Sequence, residues 1–239
     1  MPELTTRNSL ANSILSCLSL LQVYWRYGLA ISSGLLMALS VLEPRFYLLA
    51  WFCLVPLLFA VKGLSLWQCY LVSLFAGFVV YLCSSYWVLP FIINMKGYNI
   101  ILSSLISFLY WSYSAQVITL IMVLWVAMSR YLVWSRLLLF PLIFVAGYAI
   151  FPSVVPVQLG ISQSHILLAI QATDILGIYG LDFAIALSNI CIYELLRLRY
   201  TKSSMVSFVV PGLFFVLWFS YGYYSLGDWE QRQLNWSSK

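Results

Sequence analysis

Residues 158–199 read QLGISQSHILLAIQATDILGIYGLDFAIALSNICIYELLRLR. The first half of this stretch is polar and rich in glycine, and the second half is an apolar run that ends in two arginines. A glycine inside a helix costs about 1 kcal/mol relative to alanine, so this density of glycine disfavours a continuous helix. We therefore predict a non-helical or broken-helical segment over residues 160–181 at one face of a membrane.

Two aspartates follow or interrupt these glycines. We predict that Asp182 is the N-cap of a helix beginning at Phe183, because its carboxylate suits the orphan N–H groups and the positive end of the helix dipole. Asp174 precedes Gly177 and Gly180, in a segment that needs internal hydrogen bonds. It is therefore either a turn residue or a functional group.

The composition excludes an ordinary soluble domain. Of the 239 residues, 63% are hydrophobic, 18% are aromatic and only 8% are charged, and the mean hydropathy is +0.95. These values predict an all-α polytopic membrane protein. The net charge of +5 comes from basic residues scattered at the ends of apolar runs. That distribution is typical of topology determinants and lipid-headgroup contacts, and not of a nucleic-acid partner.

The chain divides into three parts. Residues 1–26 form an N-terminal amphipathic segment, whose helix over residues 9–25 is too short for an ordinary span; whether it lies on the membrane or crosses it stays open. Residues 27–225 form a membrane domain, and residues 226–239 form a short external tail. The seven predicted spans are 27–42, 46–61, 66–90, 98–128, 132–151, 182–198 and 205–225. The first two are predicted to form a tight hairpin around Glu43-Pro44-Arg45.

The loops between these spans predict the orientation. Eight basic residues fall on one side and four on the other, which predicts a cytoplasmic N-terminus and a periplasmic C-terminus. The first set is Arg7, Arg26, Lys62, Arg130, Arg136, Arg197, Arg199 and Lys202, and the second is Arg45, Lys96, Arg232 and Lys239.

No catalytic constellation is present in the sequence. Ser162 and His165 are close together, but no acid is placed to orient the imidazole. His165 has no neighbouring cysteine or second histidine, so we predict no metal site and no cofactor. Glu194 is predicted to pair with Arg197, and Asn189 to make an interhelical hydrogen bond.

Several motifs in the 158–199 stretch resemble the membrane domain of apolipoprotein N-acyltransferase. They are Leu159-Gly160-Ile161-Ser162-Gln163, Ile170-Gln171-Ala172-Thr173-Asp174, and Gly177-Ile178-Tyr179-Gly180-Leu181-Asp182-Phe183 leading to Asn189. Further similarity lies in residues 34–44, 51–58 and 76–88, so the resemblance covers about residues 27–225. It implies a loop that receives lipid and lipoprotein, lined by Trp87, Pro156, Gly160, Ser162, Gln163, Asp174, Gly177 and Gly180.

The resemblance also shows departures from the family pattern. Tyr148 stands where the family commonly has an acid, Val157 where it has a tryptophan after the loop proline, and Asp182 where it has a serine. The family's catalytic unit is a nitrilase-like domain with a Glu-Lys-Cys triad, which would begin where this sequence ends. We therefore expect no triad residue within these 239 residues.

Two functional hypotheses follow from the resemblance. The first is the membrane part of an N-acyltransferase system, with phospholipid, a diacylated lipoprotein and a separate nitrilase-like subunit as partners. The second is a non-enzymatic protein that binds lipid or scaffolds another envelope membrane protein. A small-solute transporter is disfavoured, because it would need polar or charged residues along several spans. Each hypothesis places the protein in the bacterial inner membrane.

Overall fold

The computed structural model describes residues 23–131, 136–197 and 208–237, and this part of the chain contains helices and no strand. The predicted amphipathic helix over residues 9–25 lies almost wholly outside the described residues. The helices are α1 Val23–Leu42, a 3-10 helix Pro44–Trp51, α2 Val55–Val61, α3 Leu66–Ser84, α4 Val88–Lys96, α5 Ile100–Ser114, α6 Gln116–Met128, α7 Arg136–Ile150, a 3-10 helix Leu159–Gln163, α8 Leu167–Ile170, α9 Thr173–Arg197 and α10 Val209–Ser237.

Six helical stretches are long and apolar enough to cross a membrane, which confirms the all-α polytopic class. The predicted segment 132–151 corresponds to α7, which has 15 residues. A span usually needs about 20, and residues 132–135 lie outside the described part. The six longer stretches are Val23–Leu42, Pro44–Val61, Leu66–Ser84, Ile100–Met128, Thr173–Arg197 and Val209–Gln233.

The second span, predicted as one helix over 46–61, is broken in the structure. A 3-10 helix begins with Pro44 in its first turn, and α2 resumes at Val55 with Pro56 in its own first turn. Proline has no backbone N–H, and it fits both places because the N–H groups in the first turn of a helix have no partner within the helix. Between the two helices, at residues 52–54, the backbone loses the regular helical bonding pattern, and its polar groups need other partners.

Asn189 on α9 supplies those partners. Its Oδ1 accepts from the Leu54 N–H at 2.7 Å, and its Nδ2 donates to the carbonyl of Ala50 at 2.8 Å. Next to it, the Ser188 hydroxyl donates to the carbonyl of Trp51 at 3.1 Å. The predicted interhelical hydrogen bond of Asn189 is therefore confirmed, and it spans the break in the second span.

Small residues let the other helices approach closely. A Cβ on Gly77 of α3 would lie 2.7 Å from the carbonyl oxygen of Ala115, and one on Gly34 of α1 would lie 2.8 Å from that of Ala76. Membrane helices associate through such close packing, because lipid is as apolar as their side chains. Side chains from these helices, with α7 and α9, form one core cluster.

The four cysteines in the described part of the chain are free thiols. Cys53 and Cys69 are buried, and Cys83 and Cys191 are half-buried; all four are free. Cys17 lies outside the described residues.

Basic side chains gather at one end of the bundle, called the basic end below. The Arg26 guanidinium donates to the carbonyls of Ala60 and Lys62 at 2.6 and 3.0 Å. Arg130 donates to the carbonyl of Leu64 at 2.8 Å. The predicted pair between Glu194 and Arg197 is confirmed, with an N to O distance of 3.0 Å. Residues 151–172 lie at the opposite end, the loop end.

The substitution Asn189→Leu tests the hydrogen bonds across the broken span. It roughly conserves side-chain volume, but it leaves the buried Leu54 N–H without its acceptor. We expect a loss of about 1–3 kcal/mol in stability, seen as a lower midpoint of thermal unfolding in detergent. Ser188→Ala removes one hydrogen bond nearby and should cost less than about 1 kcal/mol. Equal midpoints for Asn189→Leu and the unmodified protein would contradict this role.

Candidate functional site

The segment that follows α7 is irregular, as the glycines predict. Residues 152–158 form no helix, and the 3-10 helix Leu159–Gln163 and the short α8 follow. The long helix α9 then begins at Thr173 and not at Phe183. The prediction of a non-helical or broken-helical segment over 160–181 is nevertheless confirmed, because the part of α9 within it is broken at Gly177.

Gly177 explains how α9 starts early. Its backbone has φ 64° and ψ −173°, a conformation that is essentially restricted to glycine. The chain bends at this single residue and resumes a regular helix directly after it. The helix break within the predicted segment therefore lies at a single glycine, which is exposed.

Asp182 is not an N-cap, so that prediction is wrong. Because the helix resumes after Gly177, Asp182 lies about one turn inside it and is fully buried. Its Oδ1 accepts from the backbone N–H of Gly160 at 2.7 Å. Its Oδ2 has no hydrogen-bond partner among the described residues. The carboxyl group therefore ties α9 to the 3-10 helix of the loop.

Gly160 is required by this close approach. A Cβ at this position would lie 3.0 Å from Cγ1 of Ile178 and 3.3 Å from Oδ1 of Asp182. Gly180, on the other side of α9, faces Trp218 of α10, and an added Cβ would lie 3.2 Å from its ring. Both predicted site glycines thus serve contacts between the loop, α9 and α10.

Gln163 is the centre of the polar contacts in the loop. Its Nε2 donates to the carbonyl of Tyr47 at 2.9 Å and to the Ser162 hydroxyl at 2.8 Å, and its Oε1 accepts from the Trp51 indole at 3.1 Å. The Ser162 hydroxyl in turn donates to the carbonyl of Leu159 at 2.6 Å. Ser162 is buried within this network, whereas His165 is exposed. The serine therefore has a structural role in positioning Gln163.

Asp174 joins α9 to α10. Its Oδ2 accepts from the Tyr221 hydroxyl at 2.8 Å. Close by, the Ser225 hydroxyl donates to Oε1 of Gln171 at 2.9 Å, and the Trp218 indole donates to the carbonyl of Ala169 at 3.0 Å. These three bonds attach α10 to the loop end.

An apolar groove of about 440 Å³ lies beside the Gln163 network, between the first 3-10 helix and α10. Its polar lining atoms on Gln163 and Ser188 are already hydrogen-bonded to the protein. A shallower depression continues along α10 past Phe219 to Tyr223. The groove is lined by Tyr47, Leu48, Trp51, Gln163, Ile166, Ala169, Ser188, Phe215 and Phe219.

The structure brings together six of the eight predicted site residues. Gly160, Ser162, Gln163, Asp174, Gly177 and Gly180 all lie in the loop or the first half of α9. Pro156 is in the same irregular segment but is exposed. Trp87 is at the start of α4, where its ring packs on Phe91 with centroids 5.9 Å apart. Of the eight predicted site residues, Gln163 alone lines the groove.

Sequence reasoning missed the aromatic side chains that form the groove. Tyr47 and Trp51 follow the Pro44 turn, and Phe215 and Phe219 are one turn apart on α10. The i, i+4 spacing of Phe215 and Phe219 was a usable signal, because such residues share one face of a helix. Within the described residues, no group of three or more histidine, cysteine or acidic side chains could hold a metal ion.

Comparison with known proteins assigns the fold to a family. Residues 33–191, more than half of the chain, match the family of apolipoprotein N-acyltransferase N-terminal domains. The chain belongs to this family. The resemblance seen in the glycine-rich motifs is thereby confirmed. The N-acyltransferase match includes the 3-10 helices and the part of α9 that carries Asp182 and Asn189, whereas α10 lies beyond it.

A full-length relative places the domain in context. Apolipoprotein N-acyltransferase from Geobacter metallireducens is 31% identical over 191 aligned positions, and the match covers 72% of this chain and 33% of the relative. The match therefore spans about a third of that N-acyltransferase.

Two substitutions at Asp182 separate its hydrogen bond from its charge. Asp182→Asn keeps an oxygen acceptor for the Gly160 N–H, so its stability should stay within about 1 kcal/mol of the unmodified protein. Asp182→Ala leaves that buried N–H without an acceptor and should lose about 1–3 kcal/mol. Thermal unfolding in detergent measures both. Equal losses for the two variants would show that the hydrogen bond to Gly160 does not determine the effect.

Proposed function

We propose that this chain is the membrane part of an apolipoprotein N-acyltransferase-like system, in which a phospholipid donates an acyl chain to a lipoprotein. Its own role is to hold a lipid acyl chain in the groove beside Gln163. The observation that carries this proposal is an apolar groove, at the loop end of a domain of this family, in which the polar groups of Gln163 and Ser188 are already hydrogen-bonded.

Packing is the interaction that the groove offers to an acyl chain. A lipid tail that enters it leaves a bilayer that is equally apolar, so the hydrophobic effect adds little. Close contact with large flat side chains does favour binding. Trp51 and Phe215 both line the groove and pack on each other with ring centroids 6.2 Å apart, and Phe214 packs on Phe215 at 5.7 Å. Gln163 holds Trp51 in place through its indole N–H.

We propose that the basic end faces the cytoplasm and the loop end faces the periplasm of a bacterial inner membrane. The positive-inside rule supports this orientation, because five arginines and lysines of the predicted cytoplasmic set lie together at the basic end. They are Arg26, Lys62, Arg130, Arg136 and Arg197. Arg7, Arg199 and Lys202 of the same set lie outside the described residues. In this orientation the groove opens on the side where lipoproteins are modified.

We further propose that a nitrilase-like unit docks against the outer end of α10 and brings a diacylated lipoprotein to the groove. Residues 226–237, within the predicted external tail, continue α10 as helix. Tyr223, Tyr224, Trp229 and Trp236 are exposed there. Arg232 is salt-bridged to Asp228 and lies over the Trp229 ring. A rigid, aromatic helix of this kind suits a protein partner, because such side chains are enriched at interfaces.

One observation favours the second hypothesis, a lipid-binding or scaffolding protein without acyl transfer. Tyr148 and Val157 occupy positions where the resemblance implies an acid and a tryptophan, and both are buried. The Tyr148 ring packs on Phe144 with centroids 5.1 Å apart. These two side chains contribute to the core and not to the groove, so they provide no charge or ring for a substrate.

The acyl-chain site is tested with a phospholipid that carries a photoreactive group in one tail, in vesicles containing the full chain. Leu48→Gln places an amide at the exposed rim of the groove and should lower crosslinking there about fivefold, corresponding to roughly 1 kcal/mol. Leu42→Gln is the matched control, because Leu42 is similarly exposed but lies outside the groove. Equal crosslinking in both variants would contradict the proposed site.

The two hypotheses are separated by what co-purifies with the chain. We expect native mass spectrometry after mild extraction to show a nitrilase-like unit with the intact chain, and to show none after deletion of residues 227–239. Association that survives the deletion would exclude docking on α10. Recovery of lipid alone, or of an unrelated envelope protein, would favour the non-enzymatic hypothesis.

A further inference from the structure

A second cavity, of about 180 Å³, lies at the basic end, far from the groove. It is formed where the loop after α2 meets the ends of α6 and α9 and the start of α7. Four of its lining side chains are cationic, and they are Lys62, Arg130, Arg136 and Arg197. We call it the basic pocket.

The arginines of the basic pocket are held in place by the protein but are not neutralised by it. Arg130 donates to the carbonyl of Leu64 at 2.8 Å, and Arg136 donates to that of Ser129 at 3.1 Å. These bonds use one nitrogen of each guanidinium group and leave other N–H donors free for a ligand. The Nε of Arg136 is buried and has no hydrogen-bond partner among the described residues.

The negative charge near the basic pocket is too small to balance the positive charge of its four cationic side chains. Glu194 is ion-paired with Arg197, which leaves three of the four cations uncompensated within the described structure. The remaining described acids lie toward the loop end or on the outer part of α10. A buried charged donor without a partner is costly. Topology alone would require basic residues near this surface, but not their convergence on one cavity.

A phosphate group fits this arrangement in both charge and size. Its oxygens accept the forked donors of arginine. Its five heavy atoms need at most about 150 Å³ if each takes the volume of a water molecule, about 30 Å³. We propose that the basic pocket binds a phosphate group, and that an anionic phospholipid of the adjoining leaflet supplies it.

A neighbouring cleft supports the lipid as the source. This cleft, of about 410 Å³, shares Lys62 with the basic pocket and is lined also by Trp25, Arg26, Leu29 and Phe59. Phe59 packs against Tyr193 of the pocket, with ring centroids 4.7 Å apart. A cationic pocket beside a cleft with apolar walls from Trp25, Leu29 and Phe59 matches a molecule with a phosphate head and a hydrocarbon tail. The site is separate from the acyl-chain groove and does not depend on its proposed function.

The test measures lipid retained by the full chain in detergent, by native mass spectrometry, after exposure to phosphatidylglycerol or to diacylglycerol with the same tails. We expect phosphatidylglycerol to be retained and diacylglycerol not. The double variant Lys62→Gln/Arg136→Gln should lower retention about tenfold. Arg45→Gln/Lys96→Gln removes the same charges elsewhere and should retain the lipid as the unmodified protein does. Equal retention by the two double variants, or equal retention of diacylglycerol, would overturn the proposal.

Two additional measurements complete the test. If Arg136→Gln prevents folding, Lys62→Gln alone should still lower retention severalfold. This variant should fold, because it leaves unchanged the Lys62 backbone carbonyl that Arg26 contacts. Inorganic phosphate, added to the delipidated chain, distinguishes the two sources of the group. Displacement of phosphatidylglycerol by millimolar phosphate would show that the pocket recognises the phosphate itself and takes it from either source. Lipid that resists phosphate would assign the headgroup and its tail as one ligand.

Discussion

The carboxamide of Asn189 bonds to both sides of a gap in the second span, and much of the bundle depends on it. Inside a bilayer, a backbone N–H or carbonyl that leaves a helix has no water to bind, so another part of the protein has to replace the lost bond. Asn189 does so for Leu54 and Ala50 from the middle of α9. The break in the span and the amide on α9 are therefore one structural unit. It positions the first 3-10 helix, which carries one wall of the groove.

The loop end follows the same rule. A buried carboxyl group on α9 binds the backbone of the second 3-10 helix, and Gln163 binds the backbone and indole of the first. The first contact joins the loop to α9, and the second joins the two 3-10 helices to each other. Because α10 is attached to the same region through Trp218 and Tyr221, both walls of the groove are anchored to the loop end. A cavity with rigid walls can select the shape of a lipid tail, which the hydrophobic effect alone does not do in a membrane.

Composition was sufficient to predict the helical class, since an isolated apolar segment satisfies its backbone in lipid only as a helix. The bond of Asn189 was also predictable, because an amide within an apolar run needs a partner. The break in the second span was not, since the residue that permits it is 135 positions away. Asp182 was misassigned because a cap and a tertiary acceptor have the same local sequence, and only the backbone of Gly177 distinguishes them. The polar loop of the site was found from its glycines, whereas its aromatic walls come from distant helices.

The stretch Ile100–Met128 has 29 residues, so at 1.5 Å per residue it is about 43 Å long. The hydrocarbon layer is about 30 Å thick, which leaves roughly 13 Å of helix outside it. Since Arg130 follows at the basic end, the surplus lies at the loop end, where α4 packs on α5 and exposes Tyr86, Trp87 and Phe91. Aromatic side chains favour the headgroup level. We therefore expect this hairpin to lie at the membrane surface, where its aromatic side chains would fix the depth of the loop end in the bilayer.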